Sequence, residues 1–540
     1  MSPSYSAQDG CAMKNKTFRA AKVLVTAFLL VSVVLPLLRL VTTIEPADIM
    51  GIIRAPQFTG MIVNSLTTTL TATLIAVVLA WMLAWCVNRS NLKYKSVFSV
   101  LFTLPMLIPS ISHGMGLVLL FGDNGLLTNW LHINVGLYGF KGIVVGALLY
   151  SFPVAFLMLT DVFQYEDYTV YEAAGVLGLS RFQQFMTITL PNMRRPLISV
   201  TFAVFTMIFT DYGVPLVVGG KMMTIPVYMY REVIGLLNFS EGSIIGLVLL
   251  LPAFVAFLLD LRSEGSANAS TVTKPFVIRE NKSRDRLCFA FCALIVFLIS
   301  VPLLAFAYLS LVRQYPLDMH LSLVNIRQAF QLGVGKYMLN SLTIALVTAL
   351  VGMSVIYLTA YLTARSKKTF STMALHLISM VSLAIPGIVL GLSYVLCFKG
   401  SFIYGTLIIL VLVNTVHFFA SPYLLAYNSL SLFNEKLEDV ADTMGISRMR
   451  MLFDVYVPCT METLVEIFSY LFVNCMVTIS AVSFLANFKY MPLALMIPQF
   501  DAQSLIEATA FISVLILCVN IVLKFAVYLV KKHIRAMQIM

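Results

Sequence analysis

Charge is scarce in this chain: Asp, Glu, Lys and Arg make up 11% of its 540 residues, where globular chains run near a quarter. So little charge cannot cover a water-facing surface of this size, and residues of the AVILMFWYC set reach 59%. Much of the surface must therefore face something other than water. The short alternating segments of a membrane β-barrel are absent, which leaves helices as the spanning element. No Gly-x-x-x-x-Gly-Lys-Ser/Thr segment occurs; Gly220-Lys221 and Gly335-Lys336 lack the downstream hydroxyl, so the chain carries no P-loop. The six histidines are scattered and the eight cysteines include no Cys-x-x-Cys pair. Cys288 and Cys292, one helical turn apart, read as packing. Catalysis, a cofactor and a bound metal are accordingly not expected in this polypeptide. The net charge of +11 lies in short clusters between apolar runs, the pattern of membrane orientation signals and not of a nucleic-acid surface.

Long apolar runs are what the chain has in abundance. About 20 residues at 1.5 Å rise cross a hydrocarbon layer about 30 Å thick. Twelve such runs begin near Lys22, Met61, Val97, Phe140, Pro196, Gly242, Leu287, Leu339, Thr372, Phe402, Glu462 and Ser504. They predict an all-α integral membrane protein of about twelve spans. The first run, about Val23 to Val41, passes through Arg39 without a small-residue cleavage site, and is expected to stay as a span. With the N-terminus inside, 25 Lys and Arg residues fall on the cytoplasmic side against 10 outside, with Lys524 within the last span. That bias favours cytoplasmic termini.

The polar stretch Arg262 to Arg286 reads as a solvated linker. It sets the expected organisation: a tail over 1–21, a half over 22–261, the linker over 262–286, a second half over 287–532 and a tail over 533–540. The halves are repeats. NSLTTTLTATLIAVV from Asn64 aligns with NSLTIALVTALVGMS from Asn340, and LIPSISHGMGLVL around Pro109 with AIPGIVLGLSYVL around Pro386. The register then shifts, so that Pro153 matches Pro422. An even number of spans per half gives both the same orientation, a parallel duplication unlike the inverted repeats of many ion-coupled carriers.

A short amphipathic segment before the fifth span of each half interrupts this apolar pattern: EAAGVLGLSRFQQFMTITLP from Glu172, and DVADTMGISRMRMLFDVYVP from Asp439. The alanines leave a smooth helix face, and Gly178 can take positive φ and end the helix. Ser180 to Gln183 fits a capping box; Phe182, Phe185, Met186 and Leu190 give the second helix an apolar face. Pro191 should break it before the next span. The pattern resembles the EAA loop of binding-protein-dependent ABC importer permeases, at Glu172, Ala173, Ala174, Gly178, Ile188, Leu190 and Pro191. The second copy has Asp439, Val440, Ala441, Gly445, Val455, Val457 and Pro458, departing at the acid and the first alanine.

The resemblance implies a type I importer fold in a bacterial plasma membrane, with two halves fused. It implies that the loops, 166–191 and 434–458, seat in the grooves of a separate ABC ATPase dimer, which binds the ATP and Mg, and that an extracytoplasmic solute-binding protein delivers the cargo. The chain resembles the fused-permease branch handling ferric iron or phosphonates; the stretch Phe209 to Phe239 and the apolar run after it look most like 2-aminoethylphosphonate permeases and are also similar to iron(III) permeases. The rival reading is an ATP-independent secondary transporter, which would be expected to bury charge near span centres.

Asp211, at the outer end of the fifth span, is a candidate for contact with a substrate amine or a metal, or else caps local backbone or serves as an outside gate residue. Asn64 and Asn340 open matched spans, as path residues, caps or interhelical donors. Asn474 is a further polar candidate within a span, and His113, between small residues, reads as packing. Gly219, Gly220, Lys221, Tyr228, Tyr230 and Arg231 lie in an outer loop that a binding protein could meet.

Overall fold

The computed structural model describes residues 5–264, 274, 276–278 and 280–539. Among them the chain is helical apart from turns and one antiparallel hairpin, Val312–Gln314 with Asp318–Leu321. Each of the twelve expected runs maps onto helix. Six are single helices long and apolar enough to cross a membrane: Thr17–Thr42, Pro56–Arg89, Phe140–Gln164, Lys282–Leu309, Val334–Ala364 and Ile506–Met537. Four more qualify only as bent pairs, bringing the possible crossings to ten. The remaining two are the Leu190–Phe209 helix, whose early turns carry Arg194 and Arg195, and the Phe239–Glu264 helix.

Uninterrupted helices were the expectation, and the bends are the correction to it. Lys95–Leu107 meets Ser110–Leu131 at 97°, and Phe370–Ala384 meets Gly387–Phe398 at 112°. Both breaks fall at an Ile-Pro step inside the matched LIP and AIP motifs. Ile108 and Ile385 are extended (ψ 155 and 112), and Pro109 and Pro386 then cap the next helix. The proline ring excludes the α conformation from the residue before it but suits a helix start. The helix pair around Pro422 bends by 56° at Phe418–Phe419, three to four residues earlier, whereas its match Pro153 sits inside a continuous helix.

Two compact units emerge. One comprises Pro46–Leu332 and Met496–Leu515; the other comprises Met1–Glu45, Gly333–Leu495 and Ile516–Met540. This partition does not follow the linker, part of which (265–273) lies outside the described residues. The Thr17–Thr42 helix packs with second-half elements: the Tyr394 hydroxyl donates to Ser32 O at 2.7 Å, and Phe18 meets Tyr361 edge-on. The Lys282–Leu309 helix packs with first-half elements, through Phe289 on Phe98 and Pro302 and Phe306 against Gly116.

Within each unit small residues bring helices close. Ala72, Ala76, Ala80 and Ala84, all fully buried, form one stripe of the Pro56–Arg89 helix, which lies against Phe140–Gln164. In lipid, such stripes let dispersion replace the missing hydrophobic drive. Glycine is needed where the bent spans meet the loop after the fifth span. A Cβ on Gly391 would stand 2.7 Å from Ala481 O, and one on the matched Gly114 would stand 3.3 Å from Val214 O. Gly391→Val is therefore expected to cost about 1–3 kcal/mol by overpacking. Gly114→Ala should cost less, and thermal melts of the purified variants would show the order.

Candidate functional site

The two polar loops share one local geometry. The first begins with the Thr169–Val176 helix, the second with Leu437–Thr443. Gly178 (φ 74) and Gly445 (φ 67) end them in the left-handed region. Beyond each glycine the chain turns back, Leu179 N–H donating to Ala174 O at 3.0 Å and Ile446 N–H to Ala441 O at 2.8 Å. These are the wide closing bonds of a Schellman turn. Ser180 then caps the next helix in a full capping box with Gln183. Ser447 accepts from Arg450 N–H in the same place without the reciprocal bond.

Burial explains the alanines. Ala174 and Ala441, present in both copies, are 5% and 4% exposed. Ala173 and its counterpart Val440 face outward, so a larger side chain fits there. Glu172 and Asp439 are both exposed. Glu172 is held by Lys274 at 2.5 Å. Val176, Leu177 and Phe182 of the first loop are 89%, 78% and 69% exposed, and Val440, Met444 and Phe453 of the second are exposed as well. The apolar face expected of Phe182, Phe185, Met186 and Leu190 is split: Phe185 turns inward onto Trp81, while Phe182 stands out.

Pro191 does not break the helix as expected. A π turn over Phe185–Thr189 precedes it, closed by Leu190 N–H to Phe185 O, and the chain runs on unbroken into Leu190–Phe209. The second copy repeats the device, Leu452–Tyr456 before Pro458, and breaks only at Thr460. A wider turn removes the carbonyl that the proline ring would strike.

Sequence reasoning missed the residues that fasten the loops. Arg89, the last residue of Pro56–Arg89, is ion-paired with Glu166, both side chains under 10% exposed. Glu166 also accepts from the Tyr171 hydroxyl, whose oxygen lies 2.8 Å from Thr189 Oγ1. Burial first, then the hydrogen bond to Glu166, pushes the Tyr171 phenol well above its usual pKa, so it remains a donor. Arg365 holds the matching position in the second half and pairs with Glu438 at 2.5 Å. The signal was present in the aligned ends NRS and ARS, where both arginines counted only as inside charges.

The proposed path residues sit apart from these loops. Asp211 accepts from Ser110 Oγ at 2.6 Å and from the backbone N–H of Gly213 and Val214, a cap on the Gly213–Val218 helix. The matched pair is Gly387 and Ser480, so close that a Cβ on Gly387 would stand 2.3 Å from Ser480 Oγ. Asn64 donates to Met223 O, and Asn340 to the carbonyls of Lys489 and Met491. The neighbouring Ser65 and Ser341 accept from Ile225 and Leu493 N–H. Each Asn-Ser pair thus staples a loop to its long helix. Asn474 donates to Tyr470 O one turn back, and His113 is buried.

The family model described as "Binding-protein-dependent transport system inner membrane component" matches twice, over residues 73–261 and 356–536. Each match contains one polar loop. The chain is similar to the "Putative ferric transport system permease protein FbpB 1" of Haemophilus influenzae, 24% identical over 466 residues, 82% of this chain and 73% of the relative. It is 25% identical over 412 residues to the ferric transport system permease protein FbpB of Actinobacillus pleuropneumoniae, 72% of this chain and 59% of that one. A probable sulfate transport system permease protein cysT of Nephroselmis olivacea matches over 46% of this chain and 89% of its own length, at 25% identity. With both halves matched and more than half of its length covered, the chain belongs to the family of binding-protein-dependent transport system inner membrane components, as a permease carrying the family's segment twice in one chain.

Proposed function

We propose that this chain forms the membrane path of an ATP-driven importer for ferric iron, with cargo handed over by an extracytoplasmic binding protein. A separate ABC ATPase dimer drives it, one loop docking on each ATPase, in a bacterial plasma membrane with both termini cytoplasmic. The observation that carries this reading is the duplicated loop: helix, left-handed glycine, capped second helix and π turn before proline, built twice with exposed apolar and acidic residues. Glu172, Ala173, Ala174, Gly178 and Pro191 would shape one docking knob, and Asp439, Ala441, Gly445 and Pro458 the other. The rigid turn lets a push on the first helix pass to the second and on to the fifth span. Ferric iron comes from the names of the two relatives matched over most of this chain. Asp211, Asn64, Asn340 and Asn474 would act on the path by holding loops and helix ends at its wall.

The test is reconstitution in liposomes with the companion ATPase and binding protein. Ferric uptake is expected only with ATP. Uptake of 2-aminoethylphosphonate instead would reassign the cargo, and uptake driven by an ion gradient without the ATPase would replace the importer reading with a secondary carrier. The loops should also dock unequally. The Glu172–Lys274 bridge is exposed and contributes at most about 1 kcal/mol, so Glu172→Lys should leave the protein intact. It is expected to lower uptake more than Asp439→Lys does, and equal losses would remove that asymmetry.

A further inference from the structure

Each loop is fastened to the membrane helices by a buried arginine that the docking reading does not use; the second loop has one further tie to the same long helix, the Tyr361 hydroxyl donating to Arg448 O at 2.7 Å. Arg365 follows directly on the Val334–Ala364 helix. Its Nε and Nη2 donate to the two carboxylate oxygens of Glu438, at 2.6 and 2.5 Å, in the first turn of the second loop's helix. Its remaining donors reach Leu430 O (3.4 Å), Phe433 O (2.9 Å) and Asn434 O (2.8 Å), where the Ala420–Ser431 helix ends. The Tyr456 hydroxyl, from the π turn, donates to Glu438 at 2.6 Å. A single guanidinium therefore joins the long helix, the helix entering the loop and the loop itself, with its own side chain 3% exposed.

The first half makes the same three-way joint from other residues. Arg89 donates to Phe163 O at 3.2 Å, near the end of Phe140–Gln164, and to Glu166. Tyr171 of the loop helix closes the joint onto Glu166, and the Phe276 ring lies 3.6 Å from the guanidinium. The positions matching Glu166, Tyr171 and Thr189 are Phe433, Glu438 and Tyr456. The acid has changed place between the halves, while the arginine and the elements it joins have not. A joint kept through such an exchange is kept for what it connects.

We propose that Arg89 and Arg365 are positioning residues that carry movement of the docking loops to the long helices of the two halves. The planar guanidinium offers five donors in a fixed fork. In a dry site its bonds cannot be exchanged for water, so the loop and both helix ends shift together or the joint breaks. This inference rests on the loops being the ATPase docking sites.

The test is hydrogen exchange on the permease–ATPase complex with and without ATP, in the wild type and in Arg365→Met/Glu438→Leu, which removes both charges together. In the wild type, ATP should alter exchange in the loop at 437–447 and in the helix ends at 358–365 and 424–434. In the double variant the loop should still respond while the helix ends respond at least about fivefold less, with a similar fall in uptake per ATP hydrolysed. Helix ends that respond as in the wild type would overturn the proposal. So would loss of the ATPase on purification, which would give the pair a purely structural role. An absence of any ATP effect on the wild-type loop would instead remove the docking reading, and this inference with it.

Discussion

A Glu438→Leu permease is expected to lose about 3–5 kcal/mol of stability, the usual result of stripping the partner from a buried charge. Arg365 would be left with its charge enclosed and only three carbonyls around it. Deleting the arginine as well should recover much of the loss, because an apolar pair of similar volume avoids the desolvation of two ions. Recovery should be incomplete, since the carbonyls of Leu430, Phe433 and Asn434 lose a donor, at about 1 kcal/mol for each bond. For a unit of this size each kcal/mol moves the melting midpoint by about 2–4 °C. The single variant should thus melt on the order of 10 °C below the wild type, and Arg365→Met/Glu438→Leu should lie between them. A double variant as unstable as the single one would mean that the guanidinium works as a cap on the helix end more than as an ion partner. The exposed Glu172–Lys274 bridge is the internal control: Glu172→Gln should move the midpoint little.

The contrast between those two ion pairs also shows what the sequence could disclose. Glu172 is legible because its spacing to Gly178 is a local pattern, and local patterns survive translation into structure. The left-handed glycine, the serine cap and the capping box all follow from residues within a few positions of one another. The all-α membrane class is legible for the same reason, since run length and hydropathy are properties of single segments. Glu438 and Glu166 are not legible in that way. They answer arginines 73 and 77 residues away, and they stand at different places in the two repeats, so aligning the halves hides the correspondence. The exchange of first spans between the packing units is invisible for a related reason. Every span is apolar on most faces, and nothing in hydropathy says which bundle a given helix joins. The bends at Pro109 and Pro386 do have a local signal, since each proline bars the isoleucine before it from the α conformation, but an apolar run keeps its hydropathy across a proline and so reads as one span. At Pro191 the local signal misleads in the opposite direction: it predicts a break where a π turn absorbs the ring.

Gly178→Val and Gly445→Val are each expected to weaken ATPase docking by roughly 5–30-fold while leaving membrane insertion unchanged. Both glycines hold positive φ, where an L-residue costs about 1–2 kcal/mol and a β-branched one more. A Cβ at Gly178 would meet nothing within 4 Å, so the penalty there is one of backbone conformation and not of space. The chain can relieve it by giving up the Schellman turn, which re-aims Ser180 and the capped helix behind it. Docking then requires the strained form, and the apparent affinity falls by the fraction of loops that hold it. The defect should therefore show in the ATPase concentration needed for half-maximal uptake, and excess ATPase should restore the rate. Asparagine tolerates the left-handed region better than other residues, so Gly178→Asn and Gly445→Asn should stay close to the wild type. The two valine variants combined should multiply their separate effects, because each loop pays its own strain in docking. Wild-type uptake at limiting ATPase in the double valine variant would mean that the partner grips this permease somewhere other than its two polar loops.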